Sequence, residues 1–453
     1  MTHWDEPSAP EASGMTLANP YDDCPYKSLP IEWTAPERLA LTSLLHGGPR
    51  PRVKGYRVLE LGCADGANLL PLAYYRPHAS FVGVDGARTQ VDVARARQAS
   101  LQLSNVEFVH ADFSAALAAT SGQFDYILAH GVFSWVPDST RDALLALCAE
   151  RLRDGGLFYL NYNTRPGWNV RGLVREFLLA QTAGIASLRL RAERAQEVAA
   201  EVVASLDTNR HPYSQLIANE FEFVREHHAS FVAHEYLASD NRAYWRSEFL
   251  ALCHRHGFEY VADADFNYSS GWIPHDVPNH LESKGIIGRS LDDTVDLLCY
   301  RQLHSPILTK APLTRRTATV EEFSNLDVAS CLVRHGVNSP GNALFQHPSG
   351  FEVEAKDDVI RIALETLSPL WPRGVRTGAL FADVSRAIDD LRLLHSKGLI
   401  ELRCADPGDC SVAPDRLHML ESSGGYATTP YHTREAVSDE WSHISTGLSL
   451  VGL

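Results

Sequence analysis

The stretch Arg57-Val-Leu-Glu-Leu-Gly-Cys-Ala-Asp-Gly-Ala-Asn68 decides the fold. An apolar run carries an acid at Glu60 and then breaks at Gly62 and Gly66, as a buried strand does when it turns sharply into a helix. Two later runs repeat the design, Phe81-Val-Gly-Val-Asp85 and Val106-Glu-Phe-Val-His-Ala-Asp112, each closing on a carboxylate. The pattern predicts strands near 57–61, 81–85, 106–110, 124–129 and 157–162, and helices over 66–75, 88–102 and 139–152. Such alternation implies an α/β fold, a mostly parallel, doubly wound sheet covered on both faces. Ligands of such sheets bind outside the carboxyl ends of the strands. The residues that follow each strand are therefore the candidate site.

The chemistry of those residues narrows the ligand. A dinucleotide fingerprint, G-x-G-x-x-G, brings backbone amides and a helix N-terminus to a pyrophosphate. Here Gly62 and Gly66 stand four apart with Ala64 between them, and Glu60 precedes the turn, where it would repel a pyrophosphate. An acid there suits a ligand carrying an amino group or a sulfonium, and S-adenosylmethionine (SAM) has both. Asp85 is placed to accept from both ribose hydroxyls, Asp112 from the adenine amino group, and Phe113 to stack on the ring. Cys63, Asn68, Gly86 and, after the fourth strand, His130, Gly131 and Val132 complete the expected cofactor set. Tyr21 and Tyr26, in a Pro-braced segment, are expected to close over it as a lid.

Bulk properties limit the alternatives. The 453 residues are 45% hydrophobic and 21% charged, as in soluble globular proteins of two or three domains. A net charge of -15 disfavours a nucleic-acid partner. No apolar stretch is long enough to span a bilayer, and the first twenty residues lack the apolar segment of a secretion signal. The eight cysteines are scattered with no C-x-x-C pair, which predicts neither zinc nor disulfides and fits a reducing cytoplasm. No metal is expected from the histidines either; after His234-Glu235, Ala238 stands where a second ligand would be needed.

Along the chain, residues 1–53 read as an N-terminal extension and cofactor lid, including a helix over Pro36–Leu45 that starts at a proline and stops at Gly47-Gly48. The cofactor domain is expected over 54–302, interrupted by a helical insertion at about 172–240. Helices are expected over 172–206, 214–228 and 241–256, and His256–Asp265 is expected to return to the sheet as a late edge strand. Residues 303–320 read as a linker, and 321–453 as a small C-terminal winged-helix-like domain, from two or three helices followed by a strand at Gly398–Arg403.

Several blocks go beyond the generic fold. Tyr21-Asp-Asp-Cys-Pro-Tyr26, the segment Val58–Pro71, Phe124-Asp-Tyr-Ile-Leu-Ala-His-Gly-Val-Phe-Ser-Trp-Val-Pro137, Asn161-Tyr-Asn-Thr-Arg-Pro-Gly-Trp168 and His234-Glu-Tyr-Leu237 together resemble the bacterial SAM-dependent methyltransferases with an attached regulatory region. The best-known members of that family are protein lysine methyltransferases that modify outer-membrane proteins. The resemblance implies a class I methyltransferase with a Rossmann-like fold, and methyl transfer to a nitrogen of a protein or peptide side chain. Arg165, where an aromatic residue is expected in the lysine-modifying members, and a shorter C-terminal half depart from it. These departures keep a small metabolite or natural-product precursor open as the acceptor.

The acceptor is expected beyond strands four and five. His130, Tyr162 and Asn163 are the candidate catalytic residues, by proton transfer or by positioning. Trp135, Tyr162 and Trp168 are the candidate aromatic wall for a cationic acceptor, with packing beneath the insertion as the plainer role. A SAM-sensing regulator that binds DNA through Arg386, Arg392, Lys397 and Arg403 is a remote alternative. A homodimer is among the assemblies left open.

Overall fold

The computed structural model describes residues 20–26, 28–52, 54–206, 211–264, 276–286, 291–313, 316–339, 342–371 and 373–404. Five strands, β1 (Arg57–Leu61), β2 (Ser80–Asp85), β3 (Val106–His110), β4 (Phe124–Ala129) and β5 (Leu152–Leu160), pair in parallel. Two later strands, β6 (Glu259–Asp263) and β7 (Pro306–Thr309), complete a seven-stranded sheet in the order β3-β2-β1-β4-β5-β7-β6. β7 runs antiparallel to both its neighbours. Successive residues point to opposite faces. Val58, Phe81, Tyr126, Leu157 and Tyr159 therefore join one buried cluster, and Leu59, Val84, Ile127, Phe158 and Leu160 the other. Both faces are covered, as the apolar strands require.

The sheet corrects two expectations. β5 begins at Leu152 rather than near 157, because the Gly155-Gly156 pair bends within the strand, at an irregularity in its pairing with β4, instead of separating it from the helix before. The segment 303–320 is not wholly a linker, and a domain end at 302 falls short. Ile307 and Leu308 are fully buried in the sheet, and Pro306, which lacks an amide donor, takes the first position of the strand, where it is tolerated. The edge strand expected after His256 is present as β6.

The insertion is four helices, Arg165–Gln181, Leu188–Ser205, Pro212–Glu226 and Ala229–Tyr236. The expected run over 172–206 is thus two helices, broken near Gly184, whose φ of 82° ends the first. Val174, Leu178, Ala195, Ala199, Phe221, Val224 and Tyr236 give these helices a core of their own, and Cys24 of the N-terminal segment is docked into it.

The C-terminal region holds a three-stranded antiparallel sheet in which Asp327–Ala329 lies between Val375–Arg376 and Glu401–Arg403. Helix Asp358–Leu367, strand Val375–Arg376, helices Thr377–Leu380 and Ile388–Ser396, and strand Glu401–Arg403 follow one another in a winged-helix-like sequence. Its central strand comes from before the first helix. The part of the expected domain beyond 404 lies outside the described residues. The helix Pro36–Leu45, expected to belong to the N-terminal extension, is shared. Leu39 packs on the seven-stranded sheet, whereas Leu41, Leu44 and Leu45 pack with Phe323, Phe345 and Leu364. Two of the basic residues weighed for DNA are used internally. Arg392 donates to Leu45 O, and Arg403 is buried against Glu401 and Trp371.

Candidate active site

The strand ends form one rim. Glu60 is buried at the end of β1. Its Oε1 accepts from Asn68 Nδ2 at 2.7 Å, while Oε2 has no hydrogen-bond partner among the described residues. Burial pushes its pKa up to about 7. Asn68 in turn accepts the Ile31 amide at 2.8 Å, which latches the N-terminal segment to the turn. Gly62 has a φ of +77°, and a Cβ there would sit 2.3 Å from Val132 Cγ2. Ala64 also has a positive φ, 45°, uncommon for a residue with a side chain. Its amide donates to Asp85 Oδ2 at 2.9 Å, and the Ala87 amide donates to Asp85 Oδ1 at 2.8 Å. Asp85 is thereby fixed at the end of β2, and burial raises its pKa. Asp112 caps the helix Phe113–Ala119 through the Ala115 amide at 2.8 Å. The Ser114 hydroxyl and that amide lower its pKa.

After β4 the chain is held by a polar chain of contacts. Asn161 Oδ1 accepts the Gly131 amide at 2.6 Å. His130 Nδ1 lies 2.8 Å from the Tyr159 hydroxyl, which accepts from Trp33 Nε1 at 2.9 Å. Burial pushes the His130 pKa down to about 4. A neutral imidazole of that kind orients the loop and is a weak proton acceptor.

These groups open into one cavity of about 490 Å³, within the range of small-molecule sites. Its far side is built by the loops after β4 and β5 together with the insertion. Trp135 and Trp168 meet edge to face, with centroids 5.4 Å apart. Tyr162 is buried and stacks on Phe249 at 3.8 Å. Asn163 donates its backbone amide to Ser134 Oγ, and its side-chain Nδ2 is buried without a partner among the described residues. Arg171 reaches the cavity between Trp168 and Phe223, in ion pairs with Glu220 and Glu235. Tyr21 stacks on His234 at 4.2 Å, Tyr26 meets the same ring edge-on, and His234 Nε2 contacts Cys24 O.

The residues singled out from the sequence are brought together with one exception. Tyr21, Tyr26, Glu60, Gly62, Cys63, Ala64, Asn68, Asp85, Gly86, Asp112, Phe113, His130, Gly131, Val132, Trp135, Tyr162, Asn163 and Trp168 all line the cavity. Gly66 does not. It lies beneath the turn, where a Cβ would come within 2.8 Å of the Phe108 ring, so its smallness serves helix–strand packing. Sequence reasoning missed Ile31, Asn161, Arg171, His234, Glu235 and Gln302 as lining residues. Asn161 and His234-Glu235 lie inside blocks already noted for their resemblance. Arg171 is three residues beyond Trp168, on the same helix face.

The rim fits an adenosyl sulfonium amino acid. The unpartnered Glu60 oxygen calls for a charged donor, which the ligand's ammonium would supply. Asp85 retains lone pairs for a ribose diol. A Cβ on Gly131 would meet nothing within 4 Å, so a ligand can approach that backbone closely.

Comparison with known proteins agrees. A model described as a methyltransferase domain matches residues 58–156. A Rickettsia prowazekii protein, RP789, itself uncharacterized, is 33% identical over 291 residues, covering 64% of this chain and 52% of the relative. The chain thus spans about half the length of that relative. The trans-aconitate 2-methyltransferase of Deinococcus radiodurans is 34% identical over 101 residues, 22% of this chain and 35% of the relative. Among solved structures, PKMT2 from Rickettsia typhi in complex with AdoHcy superposes with a TM-score of 0.72 at 20% identity, over 86% of this chain and 79% of that one. That likeness is one of fold. A strand order, a rim of carboxylates and a matched domain model converge: the chain carries a class I SAM-dependent methyltransferase fold, with S-adenosylmethionine as its cofactor.

Proposed function

We propose that the chain is an N-methyltransferase that modifies lysine side chains of a protein or peptide. One observation carries this reading. The cavity does not end at the strand rim but continues under the insertion into an aromatic chamber with a carboxylate, Glu235, in its wall. Such a chamber suits a long aliphatic side chain with a cationic tip. The fold likeness to PKMT2 and the sequence blocks that resemble those of outer-membrane-protein lysine methyltransferases support it.

When bound, SAM supplies an electrophilic methyl group on a sulfur that leaves as a neutral thioether. The residues of the chain have the remaining work. Glu60, Asp85 and Asp112 would hold the ammonium, ribose and adenine ends. Asn161 and the Trp33–Tyr159–His130 contacts fix the loop after β4 beside the reacting centre. Trp135 and Trp168 would hold the acceptor in line, and alignment of held reactants supplies much of a transfer rate. Tyr21, Tyr26 and Phe231, which line the same cavity, would exclude water. A free lysine has a pKa of about 10.4, so its ammonium must lose a proton before it can attack.

The test is incubation of the full chain with methyl-labelled SAM and a bacterial protein extract, followed by hydrolysis and amino-acid analysis. Label in methylated lysine is the expected result. Label confined to small molecules would refute the polypeptide acceptor and favour a metabolite.

A further inference from the structure

We propose that Glu235 is the residue that receives the acceptor ammonium and takes its proton, a role that rests on the lysine reading above. The argument begins with an imbalance of charge. Arg171 is the one cation within ion-pair distance of Glu220 or Glu235 among the described residues. Two carboxylates thus share one guanidinium, and one negative charge is in surplus.

The two acids are not equivalent. Glu220 Oε2 accepts from Arg171 Nε at 3.2 Å and from the Tyr236 hydroxyl at 3.2 Å, and its Oε1 from the Tyr300 hydroxyl at 3.4 Å. It stands behind the cavity wall and its capacity is largely used. Among the described residues Glu235 has a single long hydrogen bond, Oε1 accepting from Arg171 Nη1 at 3.3 Å. Its side chain keeps 20% of its exposure, against 8% for Glu220, and it lines the same cavity as Tyr21, His234 and Trp168. The surplus charge therefore faces the space where a cationic side chain would enter.

Its protonation chemistry fits the task. Burial pushes the Glu235 carboxyl up to about 7, with Glu220 adding to the rise and Arg171 opposing it. Tyr21 and Tyr26 from the N-terminal segment also face it, and both stay protonated because burial and Glu235 itself raise them. His234, its neighbour in the helix, is held neutral by burial. A carboxylate near neutrality, in a desolvated aromatic site, is matched to removing a proton from an ammonium whose own pKa falls on desolvation. One proton passes from nitrogen to the Glu235 carboxylate. The freed lone pair then forms the nitrogen–carbon bond to the methyl, and the carbon–sulfur bond breaks with its electrons going to sulfur. His130, held weakly basic, is not needed for this step.

The test uses the full chain saturated with AdoHcy. Short alanine peptides carrying one lysine or one norleucine are titrated in, with tryptophan fluorescence as the readout. The wild type should bind the lysine peptide roughly tenfold more tightly, and Glu235→Gln should abolish that preference. AdoHcy affinity should stay unchanged in the variant, which shows that it is folded, and Glu235→Asp should restore part of the preference. In turnover, the acidic limb near pH 7 should move toward the pKa of free lysine in Glu235→Gln. A variant that keeps the lysine preference and the limb overturns the role of Glu235 and leaves the lysine reading standing. A wild type that does not distinguish lysine from norleucine overturns both.

Discussion

The two halves of the cavity are built on opposite principles. The cofactor half comes from the ends of β1, β2, β3 and β4, so its residues follow one another at strand-to-strand intervals. Backbone does much of its work, through the turn at Gly62 and the amides of Ala64 and Ala87 that fix Asp85. The proposed acceptor half is assembled from the N-terminal segment, the loops after β4 and β5, and three helices of the insertion, and its contacts are made largely by side chains. Residues as far apart in sequence as Cys24 and His234 meet there. A site made by strand ends is inherited with the sheet, whereas a site made by an insertion can be rebuilt without disturbing the sheet. The specificity of this enzyme is therefore expected to reside in the second half and its energy source in the first.

Substitutions that touch one half and spare the other probe this division. The largest effect is expected from Gly62→Ala. A side chain there has to adopt a left-handed backbone and displace Val132, at a cost of about 1–3 kcal/mol from each cause. SAM affinity measured by calorimetry should fall about 100-fold or more. An unchanged affinity would mean that the turn does not shape the rim. Trp168→Ala should do the reverse, raising the KM for a polypeptide acceptor about tenfold while AdoHcy affinity stays within about twofold. Equal losses of both would erase the distinction between the halves.

A third expectation concerns pH. Glu60 is raised from 4.5 to about 7 by burial, so below neutrality it is protonated and cannot pair with an ammonium. SAM affinity should climb up to about tenfold per pH unit from pH 6 toward 7 and level off above 8. The stability of the unliganded protein should respond with the opposite sign. The contribution of this carboxyl is fully present below 4.5 and lost as pH rises through about 7, because the unfolded chain ionises first. Glu60→Gln should flatten both curves, followed by calorimetry and thermal melting. The smallest effect is expected from Ala64→Gly, which relieves the positive φ of 45° and should raise stability by about 1 kcal/mol, seen as a higher melting temperature.

The same division explains what the sequence discloses. Glu60, Asp85 and Asp112 were legible because each closes an apolar run, so strand and ligand contact are written in the same few residues. Gly66 was legible as a glycine but not as a packing residue, since its neighbour Phe108 is set by a different strand. β7 was hidden in a stretch with two prolines and four threonines over 303–320, and its burial between β5 and β6 makes it a strand. Arg171, Glu220 and Glu235 read as ordinary helical charges. Nothing local separates a solvated acid from one enclosed against Phe223 and Tyr236; that distinction is tertiary.

The helix Pro36–Leu45 carries a consequence for how the molecule comes apart. It is greasy on two sides, Leu39 turned to the sheet and Leu41, Leu44 and Leu45 to the C-terminal region. Removing everything after Thr309 would wet one of those sides, and melting the sheet would wet the other. The catalytic body and its appendage should therefore lose their structure in a single transition, and a protease that nicks between them should release neither half intact.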